Sequence, residues 1–299
     1  MPNKWCSDTL EGTELGNVLF GSFHLLQGVL YLILALVYRL TEGYVLSTIP
    51  VHITLPNGRP GANGTTYEIV TSFEASPLWL VVAFFFVTGM FHLIRANIFN
   101  CCMKQSSEER DEKVKNIAHM WDRKLRWIEY SISTTLMIYA ILLLIGISDF
   151  YVLALGGSTN LAMVLFGYAG DLTPNQSGEG RYTTFIFGTV VGFTSWVVIF
   201  TQIAVMGYYG YAPGALVFLI SIGLFLLSFM FALNELRYIN TFPGVNVGRG
   251  VSPESKPILK SDPKKVGDTR ESVEFWYQFL SAAAKTLLGA LTAAAVLTV

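Results

Sequence analysis

The chain has 299 residues, of which 52% are hydrophobic and 14% charged, with a formal net charge of −1. Soluble domains carry about 25% charged residues, so this composition excludes an ordinary water-soluble enzyme or binding module and points to a chain built for lipid. The net charge says nothing about partners, because its distribution matters more than its sum; no nucleic-acid partner is expected, and three cysteines give neither a disulfide framework nor metal-ligand spacing.

A membrane-crossing helix needs about 20 mostly apolar residues. In chain order the sequence predicts seven spans: 16–38, 77–99, 125–147, 150–169, 184–208, 213–234 and 273–299. Before them, MPNKWCSDTLEGTEL is acidic and polar, unlike a cleavable signal. Between spans one and two, VHITL and TTYEIVTSF are rich in β-branched and aromatic residues and flank the turn-forming PNGRPGANG. A β-hairpin over about 45–75 is expected to cap one face of the bundle. Cys101 and Cys102 close span two, either as plain thiols or as palmitoylation sites.

Between spans two and three, Val114, Ile117, Trp121 and Leu125 recur at helical spacing among charges, so span three should begin with a helical extension beyond the membrane. Residues 240–272 are rich in Pro, Gly, Ser and Lys and read as a flexible connection. No internal repeat, phosphate-binding glycine loop or nucleophile motif is present, so no enzyme activity is expected.

Lys and Arg are segregated. Lys4, the six between Lys104 and Lys124, Arg181 and the seven between Arg237 and Arg270 share one side; Arg39 and Arg59 stand alone on the other. Positive charge favours the cytoplasmic face, which places the N-terminus inside and the C-terminus outside. The sequon at Asn63 then falls outside, and the one at Asn175 inside.

A charge at the centre of a membrane helix costs roughly 2.5–3.5 kcal/mol on insertion scales and usually has a partner. His24, His92, Arg95, Arg126, Glu129 and Lys285 stand out within the spans. Arg95 is near enough to a span end to snorkel to the interface. In RWIEYSIS, the residues Arg126, Glu129, Tyr130 and Ser133 fall on one helical face. Counted from the same membrane side at about 1.5 Å per residue, Glu129 and Lys285 lie roughly 14 and 18 Å deep, within reach of an extended lysine. Ser281 shares the face of Lys285. The pair is either a plain buried ion pair or a lysine that forms an imine with a carbonyl ligand, with Glu129 as counter-ion.

RWIEYSIS in span three, SAAAK in span seven and an inner N-terminus together resemble the heliorhodopsins, seven-helix retinal proteins of inverted orientation. The likeness covers nearly the whole chain, and receptor hallmarks such as a DRY-like triplet or NPxxY are absent. It implies all-trans retinal in the dark, bound to Lys285 as a Schiff base with Glu129 as counter-ion. It also implies a proton network of His24, Gln27, Thr88, His92 and Arg126, and a pocket formed by Ser281, Tyr130, Ser133, Met137, Asn160, Met163, Trp196, Phe218, Phe225 and Phe229. A homodimer in the lipid membrane is implied, with an unknown cytoplasmic signalling partner. The family resembles slow photosensors; some viral members are similar to light-gated proton conductors. The functions to weigh are thus a light sensor, a light-gated proton or cation conductor, and a pigment-free seven-helix transporter or scaffold.

Overall fold

A computed structural model describes residues 5–42, 48–61, 64–104, 111–172, 178–211, 215–241 and 263–297. Among them the chain forms α1 (Trp5–Glu42), a hairpin of β1 (Ile49–Gly61) and β2 (Gly64–Ala75), then α2 (Pro77–Lys104), α3 (Asp111–Leu144), α4 (Phe150–Leu172), α5 (Gly178–Tyr208), α6 (Ala215–Thr241) and α7 (Pro263–Leu297). The fold is a seven-helix, rhodopsin-like bundle with a small β-hairpin. Six helices are long and apolar enough to cross a membrane, which makes this an integral membrane protein. The seventh, α7, is poorer in large apolar residues. It packs against α1, α2 and α6, with Phe275, Trp276 and Phe279 turned outward.

Helix ends are set by local chemistry. Gly146 closes α3 with φ +81°, a backbone that suits glycine, and Ile147 N donates to Leu142 O at 2.9 Å. Asp149 then caps α4, its Oδ1 accepting from Tyr151 N and Val152 N at 2.9 and 3.0 Å. Gly210, with φ +78°, ends α5 in the same manner.

Several boundaries depart from the expected ones. The extension of span three exists, since α3 begins at Asp111, but it ends at Leu144 rather than residue 147 because Gly146 stops it. Helix α7 begins at Pro263, ten residues before the expected start: proline is preorganised for a first turn, where its missing N–H goes unused. The remainder of the connection expected to be flexible, 242–262, lies outside the described residues, as do Asn63 and Asn175. The hairpin is antiparallel as expected, yet its strands run almost to the tip. Asn57 pairs with Thr66 and Gly61 with Gly64, and an irregularity between Asn57 and Pro60 absorbs the turn-forming stretch. His52 N donates to Ser148 O at 2.9 Å, which straps the hairpin to the α3–α4 turn, and Val51 is fully buried.

The end where α1, α3, α5 and α7 begin is here called proximal, and the hairpin end distal. The two halves of the core differ in kind. The distal half is mainly apolar, built from Val51, Leu78, Val81, Phe84, Phe85, Ile141, Leu142 and Ile145, with small hydroxyl side chains such as Ser76, Ser221 and Thr292 among them. Buried polar side chains concentrate proximally, from Asn17 and His92 to Arg126 and Gln278. Close approach of α1 and α2 depends on small residues: a Cβ at Gly89 would sit 2.7 Å from Leu25 and 3.1 Å from the Gly21 carbonyl. Gly89→Val is expected to wedge these helices apart at about 1–3 kcal/mol, read as a lower Tm in detergent.

Candidate functional site

The site begins with Lys285, one residue of a polar stripe along α7. Glu274, Gln278, Ser281 and Lys285 are spaced by four, three and four residues, so they fall on one face, and alanines at 282–284 keep the surrounding helix slim. Lys285 is 1% exposed. Its Nζ donates to Glu129 Oε1 on α3 at 2.8 Å and to Ser281 Oγ at 2.6 Å. Glu129, also 1% exposed, collects three donors on the same oxygen, because Thr88 Oγ1 and Ser133 Oγ donate to Oε1 at 2.7 and 2.8 Å. Its second oxygen, Oε2, is buried without a hydrogen-bond partner among the described residues. Tyr130 lies beside the pair, its ring centre 5.6 Å from Lys285 Nζ, and its hydroxyl donates to the Tyr277 carbonyl at 3.3 Å.

On the proximal side, His24 and His92 stack with ring centres 5.8 Å apart. Neither nitrogen of His24 has a partner among the described residues, whereas His92 Nδ1 lies 2.9 Å from Asn17 Oδ1. Gln27 Nε2 donates to Thr286 Oγ1, next to Lys285, at 2.8 Å. Four expected members of the network, His24, Gln27, Thr88 and His92, therefore gather around Lys285 and Glu129.

Arg126 goes elsewhere. It turns away from Glu129 to pair with Glu274 Oε2 at 2.5 Å, with its guanidinium 4.4 Å from the Tyr277 ring centre. Tyr277 in turn hydrogen-bonds Glu235, and Arg123 hydrogen-bonds Tyr238. Nor does Arg95 snorkel: it is 3% exposed and forms a bidentate pair with Asp122, at 2.6 and 3.0 Å. A carboxylate on the adjacent helix, which accepts both donors in fixed geometry, is a better partner than the interface nearby.

Of the residues expected along a ligand, Trp196 and Phe225 meet edge-on across α5 and α6 at 5.4 Å. Asn160 ties α4 to α3 through Thr134 Oγ1 at 2.8 Å and Thr135 Oγ1 at 3.2 Å. Met137 is buried in the core, and Met163 packs against the Tyr130 cluster and closely over Gly192. Phe218 and Phe229 are the exceptions, 42% and 52% exposed on the lipid-facing side. The inward line of α6 runs through Ile220, Leu224, Phe231 and Asn234, which turns both phenylalanines outward and brings Phe231 within 5.9 Å of Tyr130.

Sequence reasoning missed Asn17, Asp122, Glu274, Tyr277 and Gln278. Glu274 lies inside the expected span 273–299. The signal that finds it is the spacing of the α7 stripe, and Asn17, seven residues before His24, follows the same logic on α1.

The heliorhodopsin family model matches residues 14–243. The crystal structure of a thermophilic rhodopsin is similar in fold, with a TM-score of 0.60 and 10% identity over 95% of this chain and 94% of that one; at this identity the likeness speaks for the fold alone. No curated protein sequence matches the chain. The family match takes in most of α1, all of α2 through α6 and well over half of the residues, and the chain belongs to the heliorhodopsin family.

Proposed function

We propose that this protein is a retinal-binding photoreceptor, with Lys285 as the attachment residue, Glu129 as counter-ion and the proximal end in the cytoplasm. The observation that carries the reading is the buried Lys285–Glu129 pair at 2.8 Å. The family match ends at residue 243, so the role of Lys285 rests on the geometry of α7 itself.

The residues fit such a group. Glu129 keeps one buried oxygen unpartnered, which suits a cationic nitrogen approaching from Lys285. Trp196 and Phe225 provide flat apolar walls, and Asn160 and Met163 both lie on the neighbouring α4. When bound, all-trans retinal supplies absorption of visible light and a change of shape at an imine nitrogen. Around it, Glu129 holds positive charge at that nitrogen, while Thr88, Ser133 and Ser281 fix the carboxylate and the lysine in place. Tyr130 reports the state of the pair to Tyr277 and thereby to Arg126, Glu274 and Glu235 on the proximal side. Signalling to a cytoplasmic partner through these helix ends, in a slow photocycle and as a homodimer, completes the reading. The placement of Lys and Arg supports the orientation.

A second reading, a light-gated proton or cation conductor with the same chromophore, is favoured by the buried polar residues that continue proximally from His24 to Asn17 and Gln278. The test is an absorbance spectrum of protein expressed with all-trans retinal, beside Lys285→Ala. A visible band in the unmodified protein alone is expected; a colourless unmodified protein would sink the proposal and leave a pigment-free transporter or scaffold. Illuminated voltage clamp then separates the readings, since a sensor stays silent at every voltage.

A further inference from the structure

Asn17 on α1 is wholly buried, and its Oδ1 faces two nitrogens: His92 Nδ1 on α2 at 2.9 Å and Gln278 Nε2 on α7 at 3.2 Å. His92 and Gln278 are themselves 2% and 4% exposed. The Gln278 amide is confined, since the neighbouring Gly16 leaves just enough room for its Oε1, which a Cβ there would approach to 2.6 Å. Oε1 lies beside Gly16, and Nε2 is the end that meets Asn17. An amide nitrogen donates and does not accept, so the Asn17 atom facing it is the carbonyl oxygen. That same oxygen faces His92 Nδ1. Two acceptors cannot share a hydrogen bond, so Nδ1 carries a proton.

We infer that the Asn17–Gln278 amide pair is a positioning device that holds His92 as its Nδ1–H tautomer, leaving Nε2 as the ring atom that can take a proton. The consequence for light-driven chemistry rests on the proposed function. A proton moved proximally from the Lys285 region onto the stacked histidines enters His92 at Nε2, and the cation so formed keeps the Nδ1–H bond to Asn17 already in place. Asparagine does not titrate, so the acceptor is unchanged before and after, and no side chain needs to rotate during the transfer.

The experiment is ¹⁵N NMR of the full chain in lipid, histidine-labelled, in the dark, with the His92 signals identified by their loss in His92→Gln. The expected result is a protonated Nδ1 and a bare Nε2. In Asn17→Leu the signals should move to the Nε2–H form or to a mixture, and Asn17→Asp, which keeps an acceptor oxygen, should restore Nδ1–H. Gln278→Leu, which frees the Asn17 amide to turn over, should give a mixture and serves as the second variant where Asn17→Leu fails to fold. A protonated Nε2 in the unmodified protein overturns the inference, as does an unchanged tautomer in either leucine variant. The tautomer is read without light, so a colourless protein defeats the photoreceptor reading and leaves this assignment to its own result.

Discussion

Glu129→Gln is expected to alter both the colour and the stability of the protein. In the pigmented protein the variant loses the charge that anchors a cation at the nitrogen end, so the visible band moves to longer wavelength or collapses to the near ultraviolet as the nitrogen loses its proton. In the pigment-free protein the same change leaves the Lys285 ammonium buried without a counter-charge, with the Ser281 hydroxyl and a neutral amide as its close partners. Removing one member of a buried pair costs about 3–5 kcal/mol, because the other charge stays desolvated and uncompensated. The double change, Glu129→Gln with Lys285→Met, should recover most of that loss, since it removes both charges. Difference spectra and Tm in detergent read the two effects. An unmoved band with an unmoved Tm would mean that Glu129 is not the partner of Lys285.

Asp122→Ala is expected to be as damaging, for a purely structural reason. Arg95 and Asp122 are 3% and 5% exposed and joined by two hydrogen bonds between α2 and α3. Loss of the carboxylate strands a guanidinium in the bundle, again at about 3–5 kcal/mol. Replacing both partners, Arg95→Met with Asp122→Leu, should be close to neutral, because apolar residues of similar volume carry no desolvation cost. The visible band should stay where it is in both variants, which separates this pair from the Lys285 site. Equal destabilisation by the single and double changes would show that packing of the arginine stem, not charge, holds these helices.

The sequence pattern made the Lys285–Glu129 pair legible because two facts combined. Both spans start on the same side, and depth along a helix follows directly from residue count. The hairpin was legible for a similar reason, since its alternating β-branched residues contrast with the surrounding helices. The partners of Arg95 and Arg126 were not legible in this way. Asp122 precedes the expected start of span three, and Glu274 sits within the first turn of span seven, where an acid is easily read as interfacial. The outward turn of Phe218 and Phe229 was hidden by the medium itself. A membrane helix is apolar on its lipid face and its core face alike, so an aromatic residue on α6 carries no mark of which way it points. The polar residues that mark the inner side of that helix most clearly, Asn234 and Glu235, lie at one end, with the small Ser221 buried near the other.

The unequal halves of the core give the bundle an electrical polarity. From Lys285 towards the start of α1, a displaced charge meets amides, imidazoles and ion pairs whose dipoles can solvate it. In the opposite direction it meets mainly packed Val, Leu, Ile and Phe under the hairpin, where buried polar side chains such as Ser76, Ser221 and Thr292 are short hydroxyls. The energy barrier for charge is therefore steep on one side and graded on the other. Under the proposed function such a core acts as a rectifier: charge displaced near Lys285 on illumination meets the lower barrier towards the proximal end, whether or not it ever leaves the protein.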